Sequence, residues 1–216
     1  MVQQKDMTES KDMTEGTSNA STASPLRIDA DYGHTVKLGH ISQEFLPGKI
    51  YGLKGANGAG KSTALATLCG EIMPIDGEVL LDGKEPGSRA NAGRIINVAD
   101  PVFLPDISVG EHFELLARRT GTDFAEVIDL WALEPLLKQP AFRLSSGQQQ
   151  RVFLASQLYQ PADVLTIDEP ERHLDAEWTK FLASELRHLA GLGRCIVLAS
   201  HSPAIFEACD EVVSVG

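Results

Sequence analysis

Residues 50–63 read IYGLKGANGAGKST. The first five, 50–54, form a short apolar run that fits a buried strand, and a helix is expected over 62–68. Between them, Gly55-Ala56-Asn57-Gly58-Ala59-Gly60-Lys61-Ser62 matches the pattern GxxxxGK[ST], with Thr63 next. The match stands in the context the pattern requires, after a strand and before a helix. Glycines let a backbone wrap closely around an anion, and the N–H groups of the loop and of the helix start face it. Lys61 is then placed to neutralise the β and γ phosphates of a nucleotide, and the Ser62 hydroxyl to ligate Mg²⁺.

Two further stretches carry chemistry. Residues 164–170 read VLTIDEP, an apolar strand delivering two acids at its C-terminal end, where α/β sheets bind their ligands. Successive strand residues point to opposite sides, so the two acids have separate tasks. Asp168 holds Mg²⁺ directly or through water, and Glu169 positions and deprotonates an attacking water. Residues 144–151 read LSSGQQQR and run into a helix. Ser145, Ser146, Gly147 and Gln148 there form either a second anion site, from a hydroxyl, free N–H groups and the helix dipole, or an ordinary helix cap.

Outward from these stretches the pattern is α/β. Apolar and polar residues alternate over 26–45, as in antiparallel strands, and further strands are expected at 78–81, 94–98, 164–167, 195–199 and 212–215. Helices are expected at about 148–159 and 176–189, with a short one before the last strand. Strands alternating with helices mean a mostly parallel sheet. A largely helical stretch over 109–137, broken at Gly121 and Pro135, interrupts that alternation. It marks an inserted helical lobe, drawn at about 101–160 in a domain spanning 25–216. Residues 1–24 contain the near-repeat KDMTES and KDMTEG and read as a disordered polar tail.

Composition sets the outer limits. The chain has 216 residues, 43% of them hydrophobic, enough for one large domain with a substantial core. A formal net charge of −11 speaks against gripping nucleic acid, which takes clustered Lys and Arg. Cys69, Cys195 and Cys209 form no CxxC pair and read as small buried residues of a reducing compartment. No apolar run approaches the ~20 residues of a spanning helix, and the polar N-terminus is no secretory signal. The expected location is cytoplasmic, with any membrane role exercised through a partner.

Taken in order, GANGAGKST, LSSGQQQR, VLTIDEP, HLD (173–175) and SH (200–201) resemble the nucleotide-binding domain of ATP-binding-cassette (ABC) proteins, over nearly everything from residue 26 onward. The LSSGQ element is what separates this family from other phosphate-loop ATPases. The resemblance implies a phosphate-loop fold of ABC type: a mostly parallel core, an N-terminal antiparallel β subdomain and a short helical lobe. It implies ATP and Mg²⁺ as cofactors and two subunits, here expected to be identical, dimerised head to tail. Each ATP is then held between one subunit's phosphate loop and the other's Ser145, Ser146, Gly147 and Gln148, with Asp175 crossing the interface. Tyr32 matches the aromatic that stacks on adenine, although it also reads as a strand-face tyrosine. His201 matches the histidine that contacts the γ-phosphate, where a lone loop histidine is otherwise simply exposed.

The family's usual role is ATP hydrolysis that powers transport through a separate polytopic membrane protein. This places the chain on the inner face of the cell membrane, and the short C-terminus leans toward export. A non-transport ATPase of repair, translation or assembly, or a weakly hydrolysing regulatory subunit, is the alternative. Three positions depart from the pattern. Ser146 stands where glycine is usual. The glutamine expected after the third strand is missing from Asn97-Val98-Ala99-Asp100-Pro101, which leaves Asp100 as a further candidate metal ligand. Glu171-Arg172-His173 replaces small residues. DEPE together with Ser200-His201-Ser202-Pro203 also resembles ATPases of DNA repair and chromosome structure.

Overall fold

Two sheets arise from two kinds of strand. The computed structural model describes residues 25–216, and the tail expected over 1–24 lies outside them. β1 (Leu26–Gly33) buries Leu26, Ile28, Ala30 and Tyr32 on one face, the period-2 pattern of a half-covered strand. It pairs antiparallel with β2 (Lys37–Phe45) and with β4 (Asp76–Leu81), giving the order β2-β1-β4. β4 therefore leaves the parallel alternation, a destination not readable from its own residues.

The second sheet is parallel. Its strands are β3 (Ile50–Lys54), β5 (Ile95–Val98), β6 (Val164–Asp168), β7 (Cys195–Ala199) and β8 (Glu211–Ser214), in the order β5-β6-β7-β3-β8. β3, β6 and β7 are near-continuous apolar runs because helices cover both faces. Side-chain parity divides β7: Ile196 and Leu198 enter one core, while Cys195, Val197 and Ala199 enter the other. The first core contains the helical lobe and α5 (Ala176–Gly191), and the second contains α1 (Lys61–Leu68) and the antiparallel sheet.

The same parity acts on β6. Leu165 and Ile167 face the first core and Val164 faces the second. Asp168, two and four residues from Thr166 and Val164, therefore emerges on the α1 side of the sheet.

The lobe holds α2 (Val109–Thr120), α3 (Ala125–Leu130) and α4 (Ser146–Leu158). Ser108 and Glu111 close a capping box at the start of α2, and Gly121 ends it in the left-handed region, φ 74°. Pro135 lies in a short 3₁₀ turn rather than an α-helix. Trp131 anchors the lobe to α5: it is fully buried, stacked on Trp178 of α5 at 6.1 Å between centroids, with its Nε1–H donating to Tyr159.

Candidate nucleotide site

The phosphate loop joins β3 to α1 as expected. Gly58 and Gly60 take φ 81° and 85°, which turns the chain so that the first turn of α1 opens toward the loop. Lys61 is nearly buried, and its Nζ donates to the carbonyls of Gly55 and Ala56 at 3.1 and 3.3 Å.

The two acids after β6 separate as parity requires. The Ser62 hydroxyl lies close enough to the Asp168 carboxylate to favour its ionised form. Burial holds Asp168 above the usual carboxylate range, with the nearby Ser62 hydroxyl acting against that push. A hydroxyl and a carboxylate side by side are hard oxygen donors of the kind Mg²⁺ takes, so these two residues fit that ion. Glu169 leaves the strand with φ 44°, its N–H donating to the carbonyl of Ala199 at 2.8 Å. That turn swings its side chain out between two partners: Arg172 Nη2 lies 2.8 Å from Oε2 and His201 Nε2 lies 3.3 Å from Oε1. The Arg172 bond holds the Glu169 carboxyl below its usual range. A cavity of about 350 Å³ is lined by Leu38, Asn57, Gly58, Gly60, Lys61, Ser62, Thr63, Glu169 and His201. Asn57, Gly58, Gly60, Lys61, Ser62 and Thr63 of the expected phosphate-binding set thus share one space with Glu169 and His201, while Gly55 and Ala59 do not line it.

The residues expected to act across a dimer gather elsewhere. Ser145, Gly147, Gln148 and Asp175 line a second cavity of about 170 Å³ together with Arg151, His173, Leu174 and Trp178. Ser145 caps α4, and its Oγ accepts from the Gln148 N–H at 3.3 Å while Gln148 Oε1 accepts from the Ser145 N–H at 2.9 Å. The stretch is a helix cap, and it lines a concave surface. Ser146 is exposed at the first turn of α4. Asp175 caps α5 through the Trp178 N–H at 2.9 Å.

One expectation changes, and another gains a partner. Tyr32 is fully buried, with its hydroxyl donating to the carbonyl of Ala59 at 3.1 Å. Its ring lies between Gly39 and Gly60, where an added Cβ would come within 2.4 Å of the hydroxyl and 2.9 Å of the ring respectively. In this structure Tyr32 offers no face to an adenine, and it props the phosphate loop from beneath. Asp100 accepts from Arg172 Nη1 at 2.7 Å in an exposed ion pair, and its charge also acts on Asp168. Arg172 had no assigned role in the sequence. The signal available was its place three residues after Glu169, the spacing at which side chains meet in a helical turn. Leu38 was likewise unforeseen on the rim.

The family model described as ABC transporter matches residues 38–172. The chain belongs to this family. Its match covers the phosphate loop, the LSSGQ element and both acids after β6. Among relatives of the ABC domain, a ribose import ATP-binding protein of Streptomyces avermitilis is 32% identical over 87% of this chain and 40% of its own length. A Nod factor export ATP-binding protein of Cupriavidus metallidurans is 31% identical over 79% of this chain and 59% of its own. The chain thus spans 40% and 59% of the length of these two relatives. A putative ABC transporter ATP-binding protein from Pyrococcus furiosus superposes with a TM-score of 0.77 over 89% of this chain and 98% of that one, at 24% identity. This likeness establishes the fold: an α/β ABC domain with parallel core, antiparallel subdomain and helical lobe. Among the described residues, no helix is long and apolar enough to cross a membrane.

Proposed function

We propose that this domain binds and hydrolyses ATP, working as one of two identical subunits that power transport through a separate membrane-spanning partner. The observation that carries the reading is Glu169, whose carboxylate stands beside His201 on the wall of the cavity that the phosphate loop encloses. The loop N–H groups and Lys61 hold the triphosphate. Glu169 orients the attacking water and takes its proton, and His201 donates toward the γ-phosphate. Ser62 and Asp168 would hold Mg²⁺, which when bound neutralises charge between the β and γ phosphates. Ser145, Ser146, Gly147, Gln148 and Asp175 of one copy would close over the ATP of the other. Closure assembles the full site, so ATP favours the closed dimer and can move an attached partner.

Turnover and oligomeric state of wild type and Glu169→Gln, with saturating ATP and Mg²⁺, test this. The variant is expected to lose at least about 10²-fold in kcat, the contribution typical of a positioned base, and to accumulate as an ATP-bound dimer. A variant that turns over like wild type removes Glu169 from the role of base.

The transport reading is supported by relatives named for import and for export. We favour export, because the Nod factor relative matches over a larger share of its length than the ribose one. The protein is then peripheral on the inner face of the cell membrane, and no nucleic-acid partner is expected at a net charge of −11. A second reading, a cassette ATPase without a membrane subunit, is favoured by Asp100 bound to Arg172 where the family glutamine is missing. Co-purification with a polytopic protein from membranes separates the two.

A further inference from the structure

Glu171 follows Pro170, and its side chain turns toward the loop after β7. One oxygen, Oε1, accepts three hydrogen bonds: from Ser200 Oγ at 2.7 Å, from the His201 N–H at 2.7 Å and from the Ser202 N–H at 3.1 Å. The Ser202 N–H also reaches Ser200 Oγ at 3.0 Å, which ties the three residues to one another. Ser200 is 3% exposed, so the hub lies at the edge of the core. The other carboxylate oxygen, Oε2, is buried and has no hydrogen-bond partner.

All three donors are uncharged, so this is not a surface ion pair. Hydrogen bonds from neutral donors to a carboxylate are about twice as strong as neutral ones, and three on one atom leave a loop little freedom. A buried, half-satisfied carboxylate is costly. In this arrangement the cost is offset by holding a segment that β7 would otherwise release into solvent.

The held segment carries His201. Its backbone N–H is one of the three donors, and its ring Nε2 stands 3.3 Å from Glu169 Oε1. A shift of the backbone would move the ring off both the carboxylate and the cavity it lines. The acid of DEPE and the SHSP stretch, unrelated as sequence, are thus one device.

We propose that Glu171 is a positioning residue: by gathering Ser200, His201 and Ser202 onto one carboxylate oxygen, it fixes where the His201 imidazole meets Glu169. The proposal rests on the ATPase reading above for the task it gives His201. It acts through His201 and touches no reacting atom.

Amide hydrogen exchange and steady-state kinetics on the full chain test it, with Glu171→Gln and Glu171→Ala. Gln keeps one acceptor oxygen and loses the charge, whereas Ala loses both. Exchange at the His201 and Ser202 amides is expected to rise about threefold in the first and about tenfold in the second, with amides of α1 and β6 unchanged. kcat is expected to fall by about three- to tenfold in Glu171→Gln while KM stays within about twofold. Adding His201→Ala to Glu171→Gln should cost nothing beyond His201→Ala alone, since two residues acting through one group do not add. Wild-type exchange at the two amides in both variants, or losses that multiply in the double variant, overturns the proposal. If Glu171→Ala does not fold, Glu171→Gln decides alone. If the wild type does not hydrolyse ATP, the function above fails, while the exchange measurement still decides whether Glu171 holds the loop.

Discussion

The guanidinium of Arg172 lies 2.8 Å from the carboxylate of Glu169 and 2.7 Å from that of Asp100. Arg172 bridges the candidate base to the loop after β5, and its bond is the largest cause of the depressed Glu169 pKa. Arg172→Ala removes that bond, so the Glu169 pKa should rise toward the ordinary value. The acid limb of the pH profile of kcat/KM then moves to higher pH. The sign follows because a depressed carboxylate stays ionised further into acid, and without Arg172 it protonates sooner. Near neutral pH the base remains ionised either way, so turnover there should fall by less than about tenfold, against about 10² or more for loss of the base itself. A profile whose acid limb does not move shows that Arg172 does not govern Glu169.

The three cysteines give a pH prediction of opposite sign. Burial pushes Cys195 up to about 12, and Cys69 and Cys209 up to about 11 each. At pH 8 the Cys195 thiolate is then about one part in 10⁴, and the native protein should react with a thiol reagent far more slowly than the unfolded chain. These thiols favour the fold while neutral. Their contribution is complete below the unfolded value near 9 and is lost as pH rises toward 11 to 12. Thermal unfolding followed from pH 8 to 11 should therefore show stability falling above pH 9. Cys195→Ala should flatten that fall.

Much of this was legible in the chain itself. The run 50–54, the loop after it and the run 195–199 are fully determined locally, because a buried parallel strand and a phosphate loop each have a compact signature. Parity along β6 even foretells that Asp168 and Glu169 part ways. What stayed hidden depends on long-range placement. Nothing near Tyr32 in the sequence says that Gly39 and Gly60 enclose its ring. Nothing near Glu171 says that residues 200–202, some thirty positions on, donate to it. The destination of β4 depends on the partner strand β1, fifty residues earlier. Such contacts follow from topology, which local periodicity does not encode.

Gly147 lets α4 approach the turn before α5. A Cβ there would stand 2.9 Å from the carbonyl oxygen of His173, a backbone atom that cannot swing aside. Gly147→Ala should therefore push the LSSGQ turn away from 173–175 and cost roughly 1–3 kcal/mol as local overpacking. Both stretches line the second cavity, so the ATP-bound dimer should weaken more than ATP binding to the single subunit. Equilibrium ATP affinity of the monomer, compared with dimer formation in a Glu169→Gln background, checks this. Equal losses in both would show that the glycine serves only the fold.

Tyr32 decides between two readings through a pair of substitutions. If its ring supports the phosphate loop, Tyr32→Phe loses the bond to Ala59 and strands a carbonyl, at a cost of about 1 kcal/mol. Tyr32→Ala then opens a cavity in the core and should cost about 3–5 kcal/mol, as deletion of a buried aromatic does. ATP affinity should fall in step with stability, because the loop loses its floor. If the ring instead stacks on adenine, Phe keeps the stacking face and ATP affinity is untouched, while Ala weakens ATP binding at nearly wild-type stability. Melting temperature and ATP affinity measured on both variants separate the two, and the enclosed ring predicts the first outcome.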